Sequence, residues 1–304
     1  MWYNNLSDNL KQEYGMKLYK LALDGGRTCP NRDGTCGIRG CIFCSGAGSG
    51  DFAANRNRTI REQMEEAKER IRQKLPAGSV GYIAYFQAFT NTYGTVEELE
   101  PMFLEAISDS TVKILSIATR PDCISEEILD MLERLQQVKP VWVELGLQTI
   151  HEKTAEYIRR GYELPMYDAA IEELKKRNIT VITHVILGLP GETVEDMLAT
   201  IDYVGQTGTQ GIKLQLLHVL KGTDLESEYK AGVFQTLSLP EYIDILELCV
   251  RHLPKEMVIH RLTGDGPKRL LIAPEWSGNK RLVMNTIREE FIRRNVEQGS
   301  WNQS

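Results

Sequence analysis

Apolar residues along this chain gather in short consecutive runs separated by amphipathic stretches. Six such runs recur: MKLYKLAL (16–23), VGYIAYF (80–86), VKILSIA (112–118), VWVELGL (141–147), TVITHVIL (180–187) and GIKLQLLHVL (211–220). Most are apolar at successive rather than alternate positions, which predicts parallel strands buried on both faces. Between them lie helix-start signals. Thr59 with Glu62 forms a capping box before a helix to Leu75, and Thr95 with Glu98 opens one through Ile107. Ser125 precedes a helix to about Leu135, Thr149 with Glu152 caps the next, Pro165 precedes one over 166–177, and Thr193 with Asp196 leads to Val204.

Strand–helix alternation of this kind predicts an α/β fold: a partial (βα)6 barrel of TIM type over residues 16–235, curled by right-handed crossovers. Residues 1–15 form an N-terminal segment ahead of it. Residues 236–304 read as a C-terminal α/β extension packed on the barrel, with a helix from Ser238, a strand over 258–262 and a last helix over 281–296.

One stretch fits neither period. Residues 25–52, GGRTCPNRDGTCGIRGCIFCSGAGSGDF, hold Cys29, Cys36, Cys41 and Cys44 among glycines and charges. A loop of that length inside a compact domain is functional or disordered, and clustered thiols favour function. It follows the first strand, at the strand end where barrel active sites gather. Four thiolates spaced C-x6-C-x4-C-x2-C suit a tetrahedral zinc site in a non-redox binding protein. Three of them suit a [4Fe–4S] cluster whose fourth iron is open. Spacing alone leaves both open.

The 304 residues are 42% hydrophobic, enough for a sizeable core, and no apolar run approaches a membrane span. No signal peptide precedes the first strand, so a cytoplasmic location is expected, where clustered cysteines bind metal more often than they form disulfides. The net charge of −6 is unevenly spread. Residues 1–61 carry nine Lys/Arg against five Asp/Glu and residues 251–304 ten against six, so each end is +4 and the middle is −14. Basic ends either solvate helix faces or meet a polyanion.

The run TCPNRDGT…GCIFCSGAGSGDF resembles the cluster loop of the radical S-adenosylmethionine (SAM) superfamily, in its YhcC/YtqA branch related to the Elongator catalytic subunit. The resemblance extends from YGMKLYKLALDGG to WSGNKRLVMN. Where most of that superfamily spaces its ligands C-x3-C-x2-C, this branch is stretched to C-x11-C-x2-C, which implies Cys29, Cys41 and Cys44 as ligands and leaves Cys36 out.

The resemblance also implies SAM contacts at strand ends. The turn after the second strand, Gln87, Ala88, Phe89 and Thr90, stands where many relatives carry a Gly-Gly pair for the SAM amino group; Ala88-Phe89 departs from it. In SIATRPDC, Ala118 replaces a glutamate of the Elongator-type enzymes, and Arg120 and Asp122 are free to pair with each other. Gln148, twelve residues before Arg160, matches a SAM-binding pair of related enzymes, in which the Arg fork suits a carboxylate. Glu144 points into the barrel with Gln148. His184, Gly188 and Leu189 belong to the fifth strand and its GLPGET turn, on the adenine side. His218 and Lys221 stand on the substrate side.

The implied activity is reductive cleavage of SAM to a 5′-deoxyadenosyl radical, with electrons from a flavodoxin or ferredoxin. Members of this branch are associated with transfer RNA modification at a wobble-uridine side chain, and the basic residues Arg56, Arg58, Lys268, Arg269, Lys280 and Arg281 would meet phosphates. A small-molecule substrate such as a porphyrinogen is the alternative.

Overall fold

The computed structural model describes residues 2–75 and 80–301. Six parallel strands lie side by side in sequence order: β1 (Leu18–Leu23), β2 (Gly81–Phe86), β3 (Val112–Thr119), β4 (Val141–Gln148), β5 (Thr180–Leu187) and β6 (Gly211–Leu216). The sixth apolar run is not one strand: after Leu216 the chain turns into β7 (Val219–Leu220). A seventh parallel strand, β8 (Val258–Arg261), continues the sheet beside β6, and β9 (Leu271–Ala273) pairs antiparallel with β7. The C-terminal residues therefore extend the curled half-barrel sheet as well as pack on it. Val258 and Ile259 supply the register opposite Gly211 and Ile212.

The helices Ile60–Ile71, Val96–Ser108, Glu126–Gln136, Leu164–Lys176 and Val194–Gln206 follow the first five strands. Their buried faces join the outward side chains of the strands in one apolar core. The capping boxes at Thr59 and Thr193 form as the sequence predicts. Two others do not. Thr95 makes no side-chain cap bond, and Glu98 instead receives Arg27 Nη1 at 2.8 Å. Thr149 lies too early to cap Glu152–Tyr157: its hydroxyl donates to Glu192 at 2.5 Å, and Glu152 takes Arg160 Nη2 at 3.0 Å.

Inward side chains alternate along each strand and stack in layers. At the closed end Leu18, Ile83, Ile114, Trp142 and Ile182 form an apolar floor, joined by Leu10 of the helix Leu6–Tyr14. Above it lies a polar layer: Lys20, Tyr85, Ser116, Glu144, His184 and Lys213. Two residues further along each strand, Ala22, Gln87, Ala118, Gly146, Ile186 and Gln215 line the open end. Floor, ionic layer and small-residue rim thus alternate with a two-residue step. The rim leaves space, and the cysteine loop covers it.

Candidate active site

A cavity of about 410 Å³ opens at the C-terminal ends of the strands, lined by the upper two layers and by the cysteine loop. Cys29, Cys41 and Cys44 all contribute to its wall, whereas Cys36 is exposed and lies outside the lining. Burial pushes the Cys41 thiol up to about 12, with the nearby Cys44 and Cys29 adding to the rise. A bound cationic centre would reverse that balance, since a coordinated thiol loses its proton.

The loop is held by specific anchors. Asn31, 3% exposed, donates from Nδ2 to the carbonyls of Arg159 at 2.7 Å and Arg160 at 3.2 Å, and lies 3.4 Å from Cys41 Sγ. Arg32 reaches back to the carbonyls of Cys44 at 3.1 Å and Ser45 at 2.6 Å, and Ile42 N–H bonds the Ile158 carbonyl at 3.2 Å. These bonds fix the backbone on either side of Cys41 and Cys44.

The turn after β2 clasps the far side. Phe89 N–H donates to the Gly48 carbonyl at 2.8 Å, Gln87 Nε2 to the Ser49 carbonyl at 2.8 Å, and Thr90 N–H to the Thr28 carbonyl at 3.2 Å. The guanidinium groups of Arg32 and Arg56 lie 5.7 and 5.6 Å from the Phe89 ring centroid. Gln87, Phe89 and Thr90 line the cavity, while Ala88 is fully buried behind it, where a Cβ on Gly50 would come within 2.4 Å of the Ala88 methyl. The segment reads as a polar turn, yet Thr90, Asn91 and Thr92 are all buried.

The remaining sequence-derived residues divide. Gln148, at φ +72, lines the cavity, and its Oε1 is buried without a partner. Arg160 also lines it, with three of its five donors used within the protein: Nε by the Tyr162 carbonyl at 2.9 Å, Nη1 by that of Thr149 at 2.7 Å and Nη2 by Glu152. Arg120 and Asp122 pair with each other at 2.9 and 2.6 Å. Gly188 and Leu189 lie outside the lining, Leu189 in a small apolar cluster with Ile42 and Leu217. His218 faces the cavity with Nε2 buried and unpartnered, and burial holds its ring at about 4. Lys221 is exposed and away from it.

Glu144 has a structural use that the sequence did not show. Its Oε1 accepts from Lys20 Nζ at 2.9 Å and Ser116 Oγ at 2.7 Å, and its Oε2 from His184 Nε2 at 2.8 Å and from Lys213. Both oxygens are therefore engaged by the barrel itself, and Glu144 also lines the cavity. Burial opposes the charge, but Lys20, Lys213 and His184 outweigh it and hold this carboxyl well below the usual range. Burial and the nearby Lys213 push His184 down to about 4. Lys20 was missed because it interrupts an apolar run; its place two residues after Leu18, on an inward face, was the available signal.

The radical SAM superfamily model matches residues 26–204, and a radical SAM C-terminal domain model matches residues 209–293. The chain belongs to the radical SAM superfamily. It is 44% identical over 301 residues to the protein YtqA of Bacillus subtilis, covering 99% of this chain and 93% of that one. To Escherichia coli YhcC it is 37% identical over 298 residues, 98% of this chain and 94% of that one. A more distant relative, the tRNA uridine(34) acetyltransferase of Methanocaldococcus jannaschii, is 27% identical over 161 residues, 52% of this chain and 29% of that one. Among solved structures, archaeal Methanocaldococcus infernus Elp3 superposes with a TM-score of 0.68 at 16% identity, over 92% of this chain and 64% of that chain, which supports the shared fold.

Radical SAM enzymes use a [4Fe–4S] cluster and SAM, and this cavity suits them. Three thiols and the unpartnered Gln148 Oε1 meet in it.

Proposed function

We propose that this radical SAM enzyme holds its [4Fe–4S] cluster on Cys29, Cys41 and Cys44 and acts on a wobble-uridine side chain of tRNA. The observation that carries the reading is the sorting of four cysteines in one loop: three line the cavity and Cys36 faces solvent. When bound, the reduced cluster would supply the electron that cleaves SAM reductively, giving radical hydrogen-abstraction chemistry in this cavity. The chain's own part is to shape and seal the chamber. Asn31, Arg32 and the Gln87–Thr90 turn hold the cysteine loop over the barrel mouth, and the apolar floor closes its other end. A reactive intermediate is thereby kept from bulk water. Gln148, with its free acceptor, is the SAM-facing polar group we favour; His218 is the corresponding group on the substrate side.

Two further features support an RNA substrate. The basic segments at the two ends of the chain meet at the cavity mouth, where Arg269 lies 4.0 Å from Asp51 and Pro267 lines the same opening as Phe52. Arg56 and Arg269 are exposed, although Arg39, Arg58 and Lys280 already pair with Asp224, Glu66 and Asp265. The distant relative named tRNA uridine(34) acetyltransferase acts, by that name, on tRNA. Electrons would come from a flavodoxin or ferredoxin. No helix among the described residues is long and apolar enough to cross a membrane, and a cytoplasmic location is favoured by cysteines clustered as metal ligands rather than disulfides.

Anaerobic reconstitution tests the ligand set. Cys29→Ala, Cys41→Ala and Cys44→Ala should each lose bound iron and visible absorption, while Cys36→Ala keeps both; loss with Cys36→Ala would overturn the assignment. For the substrate, nucleosides of tRNA from a strain lacking this gene should differ at the wobble position. An unchanged profile would rule out that target.

A further inference from the structure

The Cys41 sulfur lies 3.6 Å from the Arg159 carbonyl. A thiol can donate its hydrogen to that oxygen, but a sulfur that holds metal has lost it. Sulfur and carbonyl would then face each other as two acceptors. Asn31 bridges them: its Nδ2 is 2.7 Å from the Arg159 oxygen and 3.4 Å from the sulfur. Asn31 is buried, so the contact is shielded from solvent.

A side-chain amide nitrogen carries two hydrogens. Three acceptors lie within reach of this one, the third being the Arg160 carbonyl at 3.2 Å. That carbonyl has a nearer donor. Arg120 Nη1 reaches it at 2.8 Å, and Arg120 is itself fixed by its two-point pair with Asp122. With Arg160 served by Arg120, and Arg159 by one Asn31 hydrogen, the other hydrogen is left for Cys41. Nor can the amide turn over. Its Oδ1 packs against Gly161, where a Cβ would come within 2.4 Å, and a reversed amide would set that oxygen against two carbonyls and a sulfur.

We infer that Asn31 donates an N–H···S hydrogen bond to Cys41 in the loaded protein and thereby makes the cluster easier to reduce. This rests on the assignment of Cys41 as a ligand. Reduction adds one negative charge to the iron–sulfur unit, and a donor aimed at a ligand sulfur favours the more negative state. The electron comes from the flavodoxin or ferredoxin donor, and the Asn31 proton stays on its nitrogen throughout. Arg120 is a positioning residue in this arrangement: by satisfying the Arg160 carbonyl it frees the amide hydrogen for the sulfur. Asn31 thus has two separable roles, holding the loop and tuning the group that the loop carries.

The test uses reconstituted protein without SAM, with potentials read by redox titration under electron paramagnetic resonance. Asn31→Ala should be harder to reduce by about tenfold in the reduction equilibrium, or about 59 mV for one electron. Gly48→Ala loosens the same loop but leaves the amide in place, so the clusters it retains should keep the wild-type potential. An unshifted potential in Asn31→Ala, or an equal shift in Gly48→Ala, would overturn the inference. Where Asn31→Ala holds too little iron to titrate, the wild type carries the test. Asparagine labelled at the side-chain amide should then alter a nitrogen hyperfine coupling of the reduced cluster, and absence of such a coupling would overturn the donor. The ligand assignment is judged separately: Cys41→Ala that keeps its iron would overturn that assignment, whereas loss of iron there with an unshifted Asn31→Ala would overturn the hydrogen bond alone.

Discussion

Gly48 and Phe89 stand in direct opposition: a Cβ built on Gly48 would fall 2.3 Å from the Phe89 ring. Both residues have positive φ, +58 and +59, and the Phe89 N–H bonds the Gly48 carbonyl. The turn after β2 and the cysteine loop are thus fitted to each other through a residue that must lack a side chain. Gly48→Ala would strain the backbone and push the ring away, at a cost of about 1–3 kcal/mol. The expected outcome is a lower urea midpoint for the protein without its cofactors and less iron retained per chain after reconstitution. An unchanged midpoint and iron content would show that the ring relaxes freely.

Asn31 ties the other side of that loop to the segment after β4. Its amide makes two bonds to the Arg159 and Arg160 carbonyls, and it is buried against Gly161, whose φ is +79. Asn31→Ala takes the amide donor from the Arg159 carbonyl and leaves the Arg160 carbonyl to Arg120 Nη1 alone, costing about 1–3 kcal/mol. Because the bonds flank Cys41, we expect the variant to lose iron faster than the wild type under a chelator challenge. Equal loss rates would mean that the remaining anchors hold the loop without Asn31.

Much of this architecture was readable before the coordinates, and the reasons are local. Consecutive apolar runs and the capping boxes at Thr59 and Thr193 determine strands and helix starts within the chain itself. What escaped depends on partners distant in sequence. Thr95 and Thr149 look like caps, but Glu98 and Glu152 are drawn off by Arg27 and Arg160. The strand over 258–262 was legible, but its place beside β6 as a seventh strand of the main sheet was not. Glu144 was visibly an inward acid, yet its partners come from β1, β3, β5 and β6, which no spacing rule connects. Chemistry-bearing cysteines are legible because a loop keeps them adjacent; an ionic layer assembled from five strands is not.

The buried histidines make stability depend on pH in a definite direction. His184 and His218 are held at about 4, chiefly by burial, against about 6.5 in an unfolded chain. Between those values the unfolded chain binds protons that the folded one refuses, so stability falls as pH drops from about 6.5 toward 4. Each histidine contributes up to about 1.4 kcal/mol per pH unit in that window. Urea titrations at several pH values should show this slope, and His218→Asn should reduce it by about one proton's worth. An unaltered slope would mean that His218 titrates normally.

Glu144 is the pivot of the ionic layer, and its removal should be the most damaging single change there. Glu144→Gln leaves Lys20 and Lys213 facing each other across the barrel with no carboxylate between them. Breaking a buried pair from one side costs about 3–5 kcal/mol. Lys213→Met should cost less, because Glu144 keeps Lys20, Ser116 and His184. Combining the two changes removes one charge of each sign, so the double variant should be more stable than Glu144→Gln alone. Unfolding midpoints of the wild type and these three variants form a double-mutant cycle whose coupling measures the pair. Independent, additive losses would show that the layer is held by packing, and that the Lys20 ammonium does not depend on Glu144 for its position.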